Sequence, residues 1–150
     1  MSVTIASSPI DLDAFRKQLE DITCGGAVFF EGRVRDHNEG RGVERLEYEA
    51  YEPLSIKEGE AIMEEARARW SFARAACIHR TGMLELGEVA VVVGVVSAHR
   101  DEAFQAARFI IDEIKARLPI WKREHYLDGE RSWVNCQRCG HARGHEPPAD

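Results

Sequence analysis

The sequence predicts a single α+β domain with a largely antiparallel sheet. The chain has 150 residues, the length of one ordinary domain, and shows no repeat or long linker that would divide it. Residues 101–118 hold Ala103, Ala107, Ile110, Ile111, Ile114 and Leu118 at helical spacing. Leu46, Tyr48 and Ala50 instead alternate with Arg45, Glu47, Glu49 and Tyr51, the period of a half-buried strand. Helical and extended segments are interleaved, but the strands lack the regular helical crossovers that a parallel sheet needs.

Taken in order, Ser8-Pro9-Ile10-Asp11 reads as a helix start, with Ser8 as cap and Pro9 in the first turn. Leu12, Phe15, Leu19 and Ile22 then share a face, and Gly25-Gly26 ends the run. Residues 27–34 are strand-like, and 36–42, rich in Gly, Asn and charge, read as a loop. Ser55-Ile56-Lys57-Glu58 is a second capping box, opening a helix through Ile62, Ala66 and Trp70. Residues 75–80 and 88–98 read as strands around a turn region at Gly82 and Gly87. Pro119 stops the long helix. Residues 120–126, a turn at Asp128-Gly129 and residues 132–134 then form a closing hairpin. The expected domain spans 1–134, and 135–150 is a flexible tail bearing Cys and His.

Several function classes drop out. Lys plus Arg total 20 against 26 Asp plus Glu, a net charge of −6, which argues against a general nucleic-acid binder. No basic segment followed by an apolar one opens the chain, so no secretory signal is visible. The longest nearly apolar run, residues 89–98, is about half a membrane span. The cytoplasm is the expected setting, with no membrane partner. Walker, dinucleotide-binding, nucleophile-elbow and HExxH motifs are missing.

Four clusters carry candidate chemistry. Gly32-Arg33-Val34-Arg35-Asp36-His37-Asn38 ends a strand, where extended backbone puts Arg33 and Arg35 on one face as a fork for an anion. An ion-paired strand end is the plainer alternative. Ser97-Ala98-His99-Arg100-Asp101 joins strand to helix, where free N–H groups and the helix dipole suit a phosphate. Its alternative is a helix cap beside a satisfied imidazole, and His79 in Ile78-His79-Arg80-Thr81-Gly82 likewise reads as structural. Lys115 lies one turn past Ile111, near the buried stripe, and Lys122 follows in Pro119-Ile120-Trp121-Lys122-Arg123-Glu124. A partly buried amine can serve as acid, base or nucleophile, unless both lysines snorkel to water. In the tail, Cys136, Cys139, His141 and His145 are four candidate Zn²⁺ ligands, though the gap between the halves is shorter than a zinc finger's. A metal-binding module and a sulfurtransferase using Cys136 and Cys139 therefore stand as alternatives. No bound metal is expected.

Together these motifs are more specific than any one of them. Gly26-Ala-Val-Phe-Phe-Glu-Gly-Arg-Val-Arg35, Leu46-Glu-Tyr-Glu-Ala-Tyr51, Ile78-His-Arg-Thr-Gly82, Ser97-Ala-His-Arg100 with Ala103-Phe104, Lys115 with residues 119–124, and Trp133-Val134 occur in order. The chain resembles the large, catalytic subunit family of molybdopterin synthase, over residues 25–134. The resemblance implies an α/β-hammerhead-like fold with additional β structure. It implies conversion of cyclic pyranopterin monophosphate to molybdopterin, a step of molybdenum cofactor biosynthesis. Two sulfurs arrive as a thiocarboxylate on the C-terminal Gly-Gly of a small ubiquitin-like partner subunit, within a heterotetramer built on a homodimer core. No resident cofactor is expected. On this reading Lys115 and Lys122 are catalytic, and Arg33, Val34, Arg35, His99, Arg100, Arg123 and Glu124 join them against substrate. Arg35, His99 and Arg100 suit the anionic phosphate, with Arg33 alongside. Seven of the 20 basic residues (Arg33, Arg35, Arg100, Lys115, Arg117, Lys122, Arg123) fall in three short stretches that this reading folds into one site. The tail lies outside the motif region and inherits no role.

Overall fold

A stretch as apolar as Val-Ala-Val-Val-Val-Gly-Val-Val is stable in water only when both faces of its strand are covered. In the computed structural model, which describes residues 1–131 and 133–135, the whole fold is arranged around that requirement. The elements in order are β1 (Ser2–Ala6), α1 (Leu12–Gln18), β2 (Gly26–Arg33), β3 (His37–Asn38), β4 (Arg41–Ala50) and α2 (Glu52–Arg69). They continue with β5 (Arg74–Arg80), β6 (Gly82–Glu85), β7 (Val89–Ser97), α3 (Arg100–Arg117), β8 (Ile120–Tyr126) and β9 (Trp133–Asn135). One sheet has the order β1-β5-β7-β2 and is parallel only between β1 and β5. The second runs β3-β4-β8-β9, with β6 also paired to β4, and is antiparallel throughout. The largely antiparallel α+β architecture expected from the sequence is observed, divided between two sheets.

Each face of β7 has its own core. Val92 and Val96 pack with Phe15 of α1 and Leu19 at its C-cap. Val91, Val93 and Val95 face the main core, with Ile62 and Met63 of α2, Ile110 and Ile114 of α3, and Leu46 and Tyr48 of β4. The α3 stripe is as the spacing predicts: Ala103, Ala107, Ile110, Ile111, Ile114 and Leu118 are all buried. Its helix packs on β7 and β2, while α2 packs on α3 and β1.

Local signals at the helix starts were misleading. The α1 cap is Asp11, whose carboxylate accepts from the Ala14 N–H at 3.1 Å, so the helix begins later than Ser8-Pro9 implies. Ile22 falls beyond its end and is fully exposed. Helix α2 starts at Glu52 with Pro53 in its first turn, and Ser55 is buried inside it instead of capping it. Tertiary packing overrides the capping pattern there. Strand β1, absent from the expected strands although Val3, Thr4 and Ile5 are all β-branched, is held by its parallel pairing with β5. The expected loop at 36–42 is a hairpin, closed by a two-residue turn in which Glu39 (φ 50°) and Gly40 (φ 79°) both take left-handed backbone. The 82–87 turn region contains β6.

Gly94 is where β7 admits the neighbouring layer. A methyl group built on it would lie 2.5 Å from Leu19 Cδ1 and 2.9 Å from the Phe29 ring. Gly94→Val is expected to cost on the order of 2 kcal/mol through overpacking. Urea denaturation checks this, with a lower midpoint at unchanged slope the expected result.

Candidate active site

The two sheets and the end of α3 enclose a cleft of about 170 Å³. Arg33 and Arg35 reach it from the end of β2, Lys115 from the last turn of α3, and Lys122 and Glu124 from β8. Strand pairing explains the last two: Lys122 lies opposite Tyr48 and Glu124 opposite Leu46, so four side chains of one face meet in the cleft. Lys122 Nζ sits 3.1 Å from the buried Glu124 Oε1. Arg33 is tethered to Glu31 at 2.5 Å and donates to the Gly87 carbonyl at 3.0 Å. Arg35 donates to Asn38 Oδ1 at 3.4 Å, and His37 and Asn38 of the β3–β4 hairpin complete the wall. The arginine fork expected from extended backbone is thus formed, with Val34 between its arms buried in the core and out of the cleft.

Other residues assigned by the sequence lie elsewhere. Arg123, adjacent to Lys122, points to the opposite face of β8, where Glu47 accepts its Nη2 at 2.6 Å and Trp133 lies under its guanidinium at 4.5 Å. His99 and Arg100 line a separate pocket with Gly25 and Phe104 at the start of α3. Arg100 and Lys115 are fifteen residues apart on one helix, roughly 22 Å at 1.5 Å per residue. Arg117 is engaged by Glu58 at 3.3 Å and Glu65 at 2.8 Å. One chain therefore holds two basic pockets, not the single site that the sequence reading assembled. His37 and Asn38, at the end of the arginine cluster but given no role there, line the cleft, as does Tyr48. Glu39-Gly40 is not one of the Asn-Gly or Asp-Gly pairs that announce such a turn, so no local signal marked the hairpin that delivers the first two.

A model of the MoaE protein family matches residues 5–117. The chain belongs to the MoaE protein family. A molybdopterin synthase catalytic subunit of Pyrococcus abyssi is 49% identical over 116 residues, covering 77% of this chain and 78% of the relative. That of Bacillus subtilis is 41% identical over 133 residues, covering 89% and 84%. The molybdopterin synthase structure from Staphylococcus aureus has a TM-score of 0.82 at 34% identity, covering 87% of this chain and 95% of that one. The family that the ordered motifs resemble is thus the family of the chain. Among the described residues no helix is long and apolar enough to cross a membrane, and no three metal-ligating side chains gather. The candidate ligands Cys136, Cys139, His141 and His145, and the tail expected from residue 135 on, fall outside the described residues save for Asn135 in β9.

In this MoaE chain, burial shapes the ionisation of the groups behind the cleft. Burial pushes the Cys77 thiol up to about 12, so no thiolate forms there near neutrality. Burial, reinforced by the Lys115 charge, pushes His79 down to about 4. On the far face, the Arg123 guanidinium and His125 hold the Glu47 carboxyl below its ordinary range.

The His79 shift has a consequence for stability. Its folded value of about 4 lies below the ordinary 6.5, so the unfolded chain takes up a proton that the folded chain refuses. Stability is unpenalised above 6.5 and falls as pH drops from 6.5 towards 4, by about 3 kcal/mol in all. Denaturant melts through that window are expected to show this slope in the native chain. His79→Gln should flatten it.

Proposed function

We propose that this chain is the catalytic subunit of a molybdopterin synthase, acting on cyclic pyranopterin monophosphate in the cytoplasm. Sulfur comes from the thiocarboxylated C-terminus of a small ubiquitin-like subunit. The observation that carries the reading is the cleft itself: Arg33, Arg35, Lys115 and Lys122 converge on it from three elements, with Glu124 as the carboxylate in its lining. Both reactants are anions, a cyclic phosphate and a thiocarboxylate, and bringing two anions together requires concentrated positive charge.

The arginine fork suits the phosphate, because two guanidinium groups on one strand face offer directed donors. Once the sulfur is bonded to the pterin as a thioester, attack of water at the acyl carbon places negative charge on the carbonyl oxygen. The acyl C–S bond then breaks to leave the sulfur on the pterin and a carboxylate on the small subunit. The half-buried Lys115 ammonium is placed to stabilise that oxygen or to supply a proton as the phosphate ring opens. Lys122, held by Glu124, gives a second charge in a fixed position. Lys115→Ala is expected to reduce molybdopterin formation from thiocarboxylated partner by about 10²- to 10⁴-fold with an unchanged melting temperature. Native turnover in this variant would remove Lys115 from the chemistry.

His99 and Arg100 fit the same reading only if a second copy supplies them. The two pockets are roughly 22 Å apart along α3, further than one pterin phosphate can reach. In a homodimer the start of one α3 can complete the cleft of the partner copy. Arg100→Ala and Lys115→Ala chains, each inactive alone, should recover about a quarter of native activity when co-expressed, because half of the dimers then carry one intact composite site. If co-expressed chains stay as inactive as either variant, His99 and Arg100 serve a different site.

A further inference from the structure

The wall of the cleft that holds His37 and Asn38 has no core of its own. None of residues 36–42 is buried, and the β3–β4 ladder is two residue pairs long. Glu39 must also hold left-handed backbone at the turn. A two-stranded hairpin with so little behind it is marginal in water. Its base is held by backbone, with Val43 N–H donating to the Asp36 carbonyl at 2.8 Å and Leu127 N–H to the Gly42 carbonyl at 3.0 Å. Arg41 supplies the rest. Its Nη2 donates to Asp128 Oδ2 and to Glu130 Oε2, both at 2.8 Å. The same guanidinium lies 3.6 Å from the centre of the Tyr126 ring. The turn it grips is closed on itself, because Gly129 N–H donates to the Tyr126 carbonyl at 3.0 Å and Glu130 N–H to Asp128 Oδ1 at 2.9 Å. Tyr126 ends β8, the strand that brings Lys122 and Glu124 to the cleft.

We propose that Arg41 is a positioning residue for the cleft, tying the 36–42 hairpin to the strand that carries Lys122. Arg41 does not line the cleft itself. It acts through Asn38, which lies opposite it in the ladder and accepts from Arg35 Nη2 at 3.4 Å. With the tie cut, substrate must order this wall before Arg35 can meet a phosphate, and that ordering is subtracted from affinity. Lys115 and Lys122 rest on α3 and β8 and keep their places. Loosening therefore shows in KM and not in kcat. The use of the wall for a phosphate rests on the sulfur-transfer reading, whereas the tie does not.

Amide hydrogen exchange of the full-length chain, read by peptide mass spectrometry, measures the tie without any turnover. Arg41→Met is expected to speed exchange in residues 36–43 about tenfold, leaving α3 unchanged. It should also raise KM for cyclic pyranopterin monophosphate roughly fivefold at native kcat. Asp128→Asn with Glu130→Gln cuts the same tie from the other side. Together the two variants separate a tie from plain electrostatics. Arg41→Met removes one positive charge and the carboxylate pair removes two negative ones, so a field effect on an anionic substrate moves KM in opposite directions. Loss of a tie raises KM in both, and combining all three substitutions adds nothing further. Native exchange in 36–43, a native KM, or KM shifts of opposite sign overturns the proposal. If the native chain forms no molybdopterin while both variants exchange faster, the sulfur-transfer reading fails and the tie stands.

Discussion

Strand β7 bonds to β2 on one side and β5 on the other while both of its faces are buried. Its register places much of what surrounds the cleft. Arg33 lies opposite Val89 and His79 opposite Val91, and Ser97 delivers the chain to His99 and the start of α3. A slip of one residue would turn every side chain of a strand to the other face. Two features prevent it: the main-core row of Val91, Val93 and Val95, and Gly94, which alone leaves room for Leu19 and Phe29. The valine row therefore holds the arginine fork at one end of the sheet and the α3 start at the other.

The second sheet contributes by alternation. Lys122 and Glu124 face the cleft because they lie opposite Tyr48 and Leu46, whose inward direction the core enforces. Arg123 is turned outward by the same rule, and there Glu47, His125 and Trp133 occupy it. Burying Leu46 and Tyr48 thus sorts three consecutive charged residues into two facing the cleft and one ion-paired outside. Hydrophobic burial is worth about 25 cal/mol per Å², while an exposed ion pair contributes ~1 kcal/mol or less. The apolar pair decides the register, and the charges follow.

Much of this was legible in the sequence where one physical term dominates. Residues 120–126 and the α3 stripe follow from periodicity, and the Arg33/Arg35 fork follows from the two-residue repeat of a strand. The same repeat should have separated Arg123 from Lys122, and proximity in a motif concealed it. What was not legible depends on partners distant in sequence. Strand β1 exists through β5, Ser55 is drawn inside α2 by packing, and the 36–42 hairpin depends on Glu39 accepting left-handed backbone. Distance along α3 was legible in principle, since fifteen residues of helix fix a length whatever surrounds them.

The charge of the chain resolves along the same lines. A net −6 is compatible with a cationic cleft because charge is unevenly distributed, and several arginines elsewhere are already matched. Arg117 meets Glu58 and Glu65, Arg41 meets Asp128 and Glu130, and Arg108 meets Asp112. In the cleft, Glu31 tethers Arg33 from beside it and Glu124 holds Lys122, so two carboxylates face four cations. The surplus is confined to a partly enclosed volume, where water screens it less than at an open surface. An anion entering this cleft meets an attraction that the average charge of the chain does not reveal.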